Sequence, residues 1–201
     1  MNQVYSPTTA AQLELEGLNL ILLPEKAIFI PEEKTLLLAD LHLGKINHFR
    51  LAGIPLPSRA NDENLERLID VINKTRASKV VFLGDLFHSH YNHEWESLGQ
   101  VLSHFPTSEF HLVLGNHDIM SQVQYERHRI KVCEELYLGP LYLTHELVEK
   151  SKMYNLAGHV HPGVRLTGRG RQSVTLPCFY FGKRQGLMPA FGSFTGLARV
   201  G

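Results

Sequence analysis

Five short apolar runs in the 201-residue chain each close on side chains able to bind a metal ion. LLLAD followed by Leu-His offers Asp40 and His42, VVFLGD offers Asp85, HLVLGNHD offers Asn116 and His117, LYLTH offers His145, and NLAGHVH offers His159 and His161. Carboxylate and amide oxygens mixed with neutral imidazoles suit divalent ions such as Mn, Fe or Zn, whereas a structural zinc knot would use thiolates. The seven candidate ligands Asp40, His42, Asp85, Asn116, His145, His159 and His161 are too many for one ion. Two ions sharing a carboxylate would use them, and such pairs, about 3.5 to 4 Å apart, clamp the attacking and leaving oxygens of a phosphoryl displacement. A chance set of turn residues would have to arise at five strand ends in succession.

The elements that must position these groups are legible from periodicity. LNLILLP (18–24), KAIFI (26–30) and KTLLLAD (34–40) are short strands separated by Pro-Glu turn signals. From Ser58 onward Leu65, Leu68, Ile69 and Ile72 recur with helical spacing, leading into the apolar strand KVVFLGD. A second helix is expected over Glu94 to Phe105, then a strand FHLVLGNHD from Phe110. This alternation argues for a layered α/β core, in which ligands bind beyond the carboxyl ends of the strands. The second half reads mainly as strands and turns that complete a second sheet. Asp40 and His42, like His159 and His161, stand at i and i+2, so an extended segment would point each pair to one side. Gly84, Gly115 and Gly158 fit positions where the chain turns sharply or approaches the site closely.

Composition narrows the class. With 43% hydrophobic residues a core can form, and 20 basic against 20 acidic residues leave no global field to draw the chain to nucleic acid or an anionic membrane. Cys133 and Cys178 form neither a disulfide framework nor a Cys-x-x-Cys motif, which fits a reducing cytoplasm. No run approaches the roughly 20 apolar residues of a membrane span, and MNQVYSPTTA lacks the basic and apolar regions of an export signal. The expectation is a soluble, cytoplasmic, single-domain protein.

The blocks D-L-H, G-D, G-N-H-D, T-H and G-H-V-H, in this order, resemble the calcineurin-like metallophosphoesterase superfamily. DLHLGK with the following H-F-R, GDLFHS, N-H-E-W, LPCFYFG and LMPAFGSFTG further resemble its ligase-associated DNA-damage-response endonucleases, over nearly the whole chain from Leu18. The resemblance implies a four-layer αββα sandwich with mixed sheets and a dinuclear site on one edge. It implies that Asp40, His42, Asp85 and His161 hold one ion and Asp85, Asn116, His145 and His159 the other, with Asp85 bridging. Manganese is the first expectation, with zinc or iron as alternatives. Phosphorus would be attacked in line by a hydroxide that the two cations supply, with His117 hydrogen-bonding the scissile phosphate or protonating the leaving oxygen. The resemblance also implies functional company with a DNA ligase, a helicase and a second nuclease.

Other polar residues have plainer readings. Lys45, His48 and Arg50 follow the first ligand pair and are placed to meet substrate phosphate. Among the histidines behind Asp85, His88 is the candidate for supporting a ligand or meeting substrate; His90 and His93 read as loop, with Asn92 capping the next helix and Trp95 packing it. Asp118 would orient His117 or, on base rates, cap the following helix. As for metal binding, His48, His104, His111 and His128 read as surface or satisfied residues rather than ligands. Gly168 to Gln172 reads as a hairpin turn rather than a phosphate loop, and Arg165, Arg169, Arg171, Lys183 and Arg184 could grip a nucleic-acid backbone or simply be solvated.

Three functions compete: a phosphodiesterase acting on DNA, a hydrolase of small cyclic or nucleotide phosphodiesters, and a scaffold that kept the fold without catalysis. The scaffold would have lost His117 or ligands, and the small-substrate enzyme would be marked by a lid; no long insertion supplies one. The leading reading is a metal-dependent DNA endonuclease or end-processing enzyme.

Overall fold

A computed structural model describes residues 10–45, 59–87, 93–193 and 195–200. His48, Arg50, His88, His90 and Asn92 lie outside these described residues, so the readings made for them stand as sequence expectations.

The first sheet is mixed and seven-stranded, in the order β1 to β7: Ala11–Leu15, Leu18–Leu23, Ala27–Ile30, Thr35–Leu38, Lys79–Leu83, Glu109–Val113 and Ile130–Cys133. β1 to β4 run as antiparallel neighbours, while β4, β5, β6 and β7 are mutually parallel. Among the described residues three helices connect and cover the parallel half: α1 (Arg59–Thr75), α2 (His93–Ser103) and α3 (Gln122–Arg127). The second sheet is five-stranded, built from β8 (Leu136–Leu138), β9 (Leu141–Thr144), β10 (Tyr154–Ala157), β13 (Tyr180–Phe181) and β14 (Gln185–Leu187), ordered 13-14-10-9-8. A small third sheet joins β11 (Pro162–Thr167), β12 (Ser173–Pro177) and β15 (Ala198–Arg199).

Alternation along the central strands divides the interior in two. Leu36, Leu38, Val80, Phe82, Phe110 and Leu112 face the helices and pack on Leu65, Leu68, Ile72, Trp95, Leu98 and Tyr125. Their neighbours Leu37, Val81, Leu83 and Val113 face the other way, onto Leu141, Leu143, Tyr154, Leu156 and Met188 of the second sheet. Trp95 anchors α2 as expected, with its ring 4.7 Å from that of Phe87 and 5.4 Å from that of Tyr125. Burying each such side chain contributes about 1.5–3 kcal/mol, so both interfaces are strongly held. The α/β class with mixed sheets is as the sequence indicates. Among the described residues all three helices lie on one side; on the outer side of the second sheet, buried Asn155 receives Val148 N–H (2.7 Å) and donates to Tyr142 carbonyl (2.9 Å), tying the loop after β9 over β10.

The segment after β14 returns to the first sheet. Phe191 N–H bonds Ala39 carbonyl at 2.7 Å and Gly192 N–H bonds Asp40 carbonyl at 3.0 Å. Arg67 of α1 donates to the Phe191 carbonyl and lies 4.4 Å from the centre of its ring, and Lys26 Nζ donates to the Gly192 carbonyl at 3.0 Å. Burial, aided by the nearby Arg67 charge, lowers Lys26 from 10.5 to about 8. Between these values the unfolded chain binds more protons than the folded one, so Lys26 makes stability rise with pH through that window. In urea unfolding from pH 7.5 to 10.5, wild type is therefore expected to gain stability relative to Lys26→Met as pH rises; a constant difference would contradict the assignment.

Candidate metal centre

The five ligand-bearing segments follow β4, β5, β6, β9 and β10. The first three strands are mutually parallel, as are the last two, so each sheet delivers its ligands at the carboxyl ends of parallel strands. Two groups form there: Asp40, His42 and His161, and Asp85, His145 and His159, with candidate ligand atoms in each group within 4.8 Å of one another.

Asp85 stands between the groups. Its Oδ2 lies 3.7 Å from His42 Nε2 and its Oδ1 3.5 Å from His145 Nε2. In the first group His42 Nε2 and His161 Nε2 face each other at 3.3 Å, and His161 Nε2 is 3.5 Å from Asp40 Oδ1. In the second, His145 Nε2 and His159 Nδ1 approach to 3.0 Å. The tautomers of two rings follow from their other nitrogens. His145 Nδ1 donates to the Leu83 carbonyl at 3.1 Å and His161 Nδ1 to the Gly196 carbonyl at 3.2 Å, and a carbonyl can only accept, so in each neutral ring Nε2 keeps its lone pair.

Burial tests whether cations fit. Asp40 is wholly buried and Asp85 is 3% exposed, yet among the described residues neither forms a salt bridge to lysine or arginine; the neighbours within ion-pair range are the histidines. Two buried carboxylates facing histidine rings, two of which keep an Nε2 lone pair, suit a partner of positive charge, which divalent ions would supply. The donor set fits two such ions.

The backbone here departs from the extended geometry expected for the ligand pairs. Asp40, His42, Asp85, His159 and His161 all adopt left-handed conformations, with φ of 52°, 48°, 48°, 65° and 52°. Such residues cost free energy and persist only where surrounding contacts hold them. Here His42 N–H bonds Asp85 carbonyl at 2.9 Å, His117 N–H bonds Asp85 Oδ1 at 3.0 Å, and His159 N–H bonds Asp40 Oδ2 at 2.9 Å. Asp40 and His42 still meet in one group, but His159 and His161 are divided between the two rather than sharing a centre, because successive turns replace the strand. Close approach is real: a Cβ on Gly158 would sit 2.5 Å from Asp40 Oδ2, and one on Gly84, itself at φ +77°, 2.0 Å from His145 Nδ1.

Asn116 and His117 are exposed beside the groups. The His117 ring centre is 5.7 Å from that of His42, and Asn116 Nδ2 donates to Glu146 Oε1 at 2.8 Å. Lys45 is half-buried; burial lowers its pKa against the opposing pull of Asp85 and Asp40, which places its charge in their field. Arg165, Arg169 and Arg171 lie on the β11–β12 hairpin that starts directly after His161, its turn formed by Gly168 to Gln172 as expected. Lys183 and Arg184 belong instead to the β13–β14 turn of another sheet, where Arg184 donates to the Ser151 and Lys152 carbonyls. His104 and His111 are bonded locally, to Gln100 and Glu109, and His128 packs on Trp95.

Asp118 corrects an expectation. The residue before α3 is Ser121, and Asp118 instead accepts from the Leu86 and Phe87 amides (3.0 and 3.5 Å) and the Gly115 amide (2.9 Å), joining the loops that carry Asp85 and Asn116. Helix α3 begins too far along the chain for Asp118 to reach its first amides. Burial pushes the Asp118 carboxyl up to about 6, although these amides favour its charged form.

Residues 33–182 match the family described as calcineurin-like phosphoesterase. A crystal structure of Pseudomonas putida nuclease MPE superposes with a TM-score of 0.82 at 29% identity, covering 96% of this chain and 92% of that one. A phosphoesterase from E. coli, Yfce, gives a TM-score of 0.45 at 16% identity over 78% of this chain and 79% of that one. No curated protein sequence matches the chain.

Removing the Asp118 carboxylate strands buried amide donors, which predicts that Asp118→Ala loses about 2–4 kcal/mol in urea unfolding while Asp118→Asn, keeping one acceptor, loses less. A loss under about 0.5 kcal/mol for Ala would contradict the clamp.

Proposed function

The chain belongs to the calcineurin-like phosphoesterase family of phosphoester hydrolases, and on that premise we propose that it is a metal-dependent phosphodiesterase acting on DNA, an endonuclease or end-processing enzyme of DNA repair. The observation that carries the metal chemistry is Asp85, whose two carboxylate oxygens each face one histidine-containing group. In this reading Asp40, His42, Asp85 and His161 hold one ion and Asp85, Asn116, His145 and His159 the other. Bound there, two divalent ions, manganese first and zinc or iron as alternatives, would supply a hydroxide near neutral pH and neutralise charge on the transferring phosphoryl group.

The remaining work falls to the protein's own groups. His117 would hydrogen-bond the scissile phosphate or protonate the leaving oxygen, a reading supported by its exposure beside His42 and by the bond from its backbone N–H to Asp85. Lys45 would pair with substrate phosphate, with His48, Arg50 and His88 as further contacts expected from sequence. The DNA reading is supported by the likeness to the P. putida nuclease and by Arg165, Arg169 and Arg171 on the hairpin that leaves the site at His161. Work beside a DNA ligase, a helicase and a second nuclease in the cytoplasm belongs to the same proposal. Among the described residues no helix is long and apolar enough to cross a membrane.

The test is metal-stripped protein given Mn and assayed on single- and double-stranded DNA, a bis-aryl phosphate and an aryl monophosphate. DNA and diester cleavage should depend on added metal, and His117→Ala should lower kcat by about 10²–10⁴-fold. Turnover independent of metal or of His117 would overturn the mechanism; diester turnover without DNA cleavage would assign the enzyme to small phosphodiesters.

A further inference from the structure

Glu146 follows His145 directly, and nothing in its sequence position marks it. The turn that presents it is held by Thr144 Oγ1, which donates to the Glu146 carbonyl at 2.6 Å. The carboxylate extends over the second group: Oε1 accepts from Asn116 Nδ2 at 2.8 Å and lies 3.8 Å from His159 Nε2. Asn116 and His159 come from different sheets, after β6 and after β10, so one oxygen reaches two side chains that the fold brings together from separate directions.

The chemistry of both partners gives this contact a purpose. An amide can bind a cation only through its oxygen, and a carboxylate can accept only from its nitrogen, so a bond from Nδ2 to Glu146 leaves Asn116 Oδ1 for the ion. The His159 nitrogen facing His145 Nε2 is Nδ1. For Nδ1 to offer a lone pair, the proton of the neutral ring must sit on Nε2, the nitrogen that Glu146 faces. We propose that Glu146 is a positioning residue for the second metal site: its carboxylate selects the amide orientation of Asn116 and the ring tautomer of His159 that bind the ion.

This inference rests on Asn116 and His159 being ligands of the second ion, and the test separates the two claims. Calorimetric titration of metal-free protein with Mn should resolve two sites in wild type. Asn116→Ala and His159→Ala should weaken one of them, and Glu146→Ala should weaken that same site by about 10–100-fold while leaving the other unchanged. Glu146→Gln, which keeps one oxygen acceptor, should recover part of the loss. The metal-free melting temperature should stay near wild type for both Glu146 variants, because the Glu146 side chain is 55% exposed. If Asn116→Ala and His159→Ala leave both sites intact, the ligand reading fails. If they weaken one site but Glu146→Ala does not, or if Glu146→Ala weakens both sites equally, the positioning role is overturned.

Discussion

Two buried carboxylates that, among the described residues, form no salt bridge to lysine or arginine set the terms for everything around them. Asp40 and Asp85 are removed from water at the mouth of a two-sheet sandwich, and among the described residues only histidines come within ion-pair range. Burying one uncompensated carboxylate is costly, and burying two close together adds mutual repulsion. The site is consistent as a container for cations: the Nε2 lone pairs of His145 and His161 lie beside carboxylate oxygens of Asp85 and Asp40, and backbone carbonyls hold the opposite nitrogens.

The fold meets this demand with backbone rather than with side-chain reach. Five of the candidate ligands sit in left-handed conformations, each in the first turn beyond a parallel strand. The turns are locked to one another: the Asp85 loop receives the His42 and His117 amides, Asp40 receives the His159 amide, and Asp118 ties the Asp85 and Asn116 loops together. The returning segment at Phe191 and Gly192 closes on the Asp40 turn and is itself stapled by Lys26 and Arg67. Local strain at the ligands is thus held in place by long-range hydrogen bonds, which is how sparsely populated backbone conformations persist at functional sites.

Much of this was readable because it is local. The strands that end on ligands announce themselves as apolar runs, α1 by its 3.6-residue spacing, and the ligand identities by type and order. The first strand, AQLEL, escaped notice because it is an edge strand whose side chains stay exposed or half-buried, so it lacks a strong apolar signature. The left-handed turns escaped because aspartate and histidine tolerate that conformation without demanding it, and spacing alone suggests an extended pair. Glu146, Lys26 and Arg67 were missed for another reason: their partners are 30, 166 and 124 residues away, and only the folded chain reveals the pairing. Asp118 was misread because helix capping is the commoner local use of an aspartate in such a position, and tertiary contacts to Leu86 and Phe87 outweighed it.

The proposed metal chemistry depends on Asp85 as a carboxylate shared between two ions. Crystals of the protein grown with Mn, measured for anomalous scattering above and below the manganese absorption edge, examine this directly. Two peaks about 3.5 to 4 Å apart, one on each side of Asp85, are the expected result. A single peak, or ions bound without Asp85 between them, would contradict it.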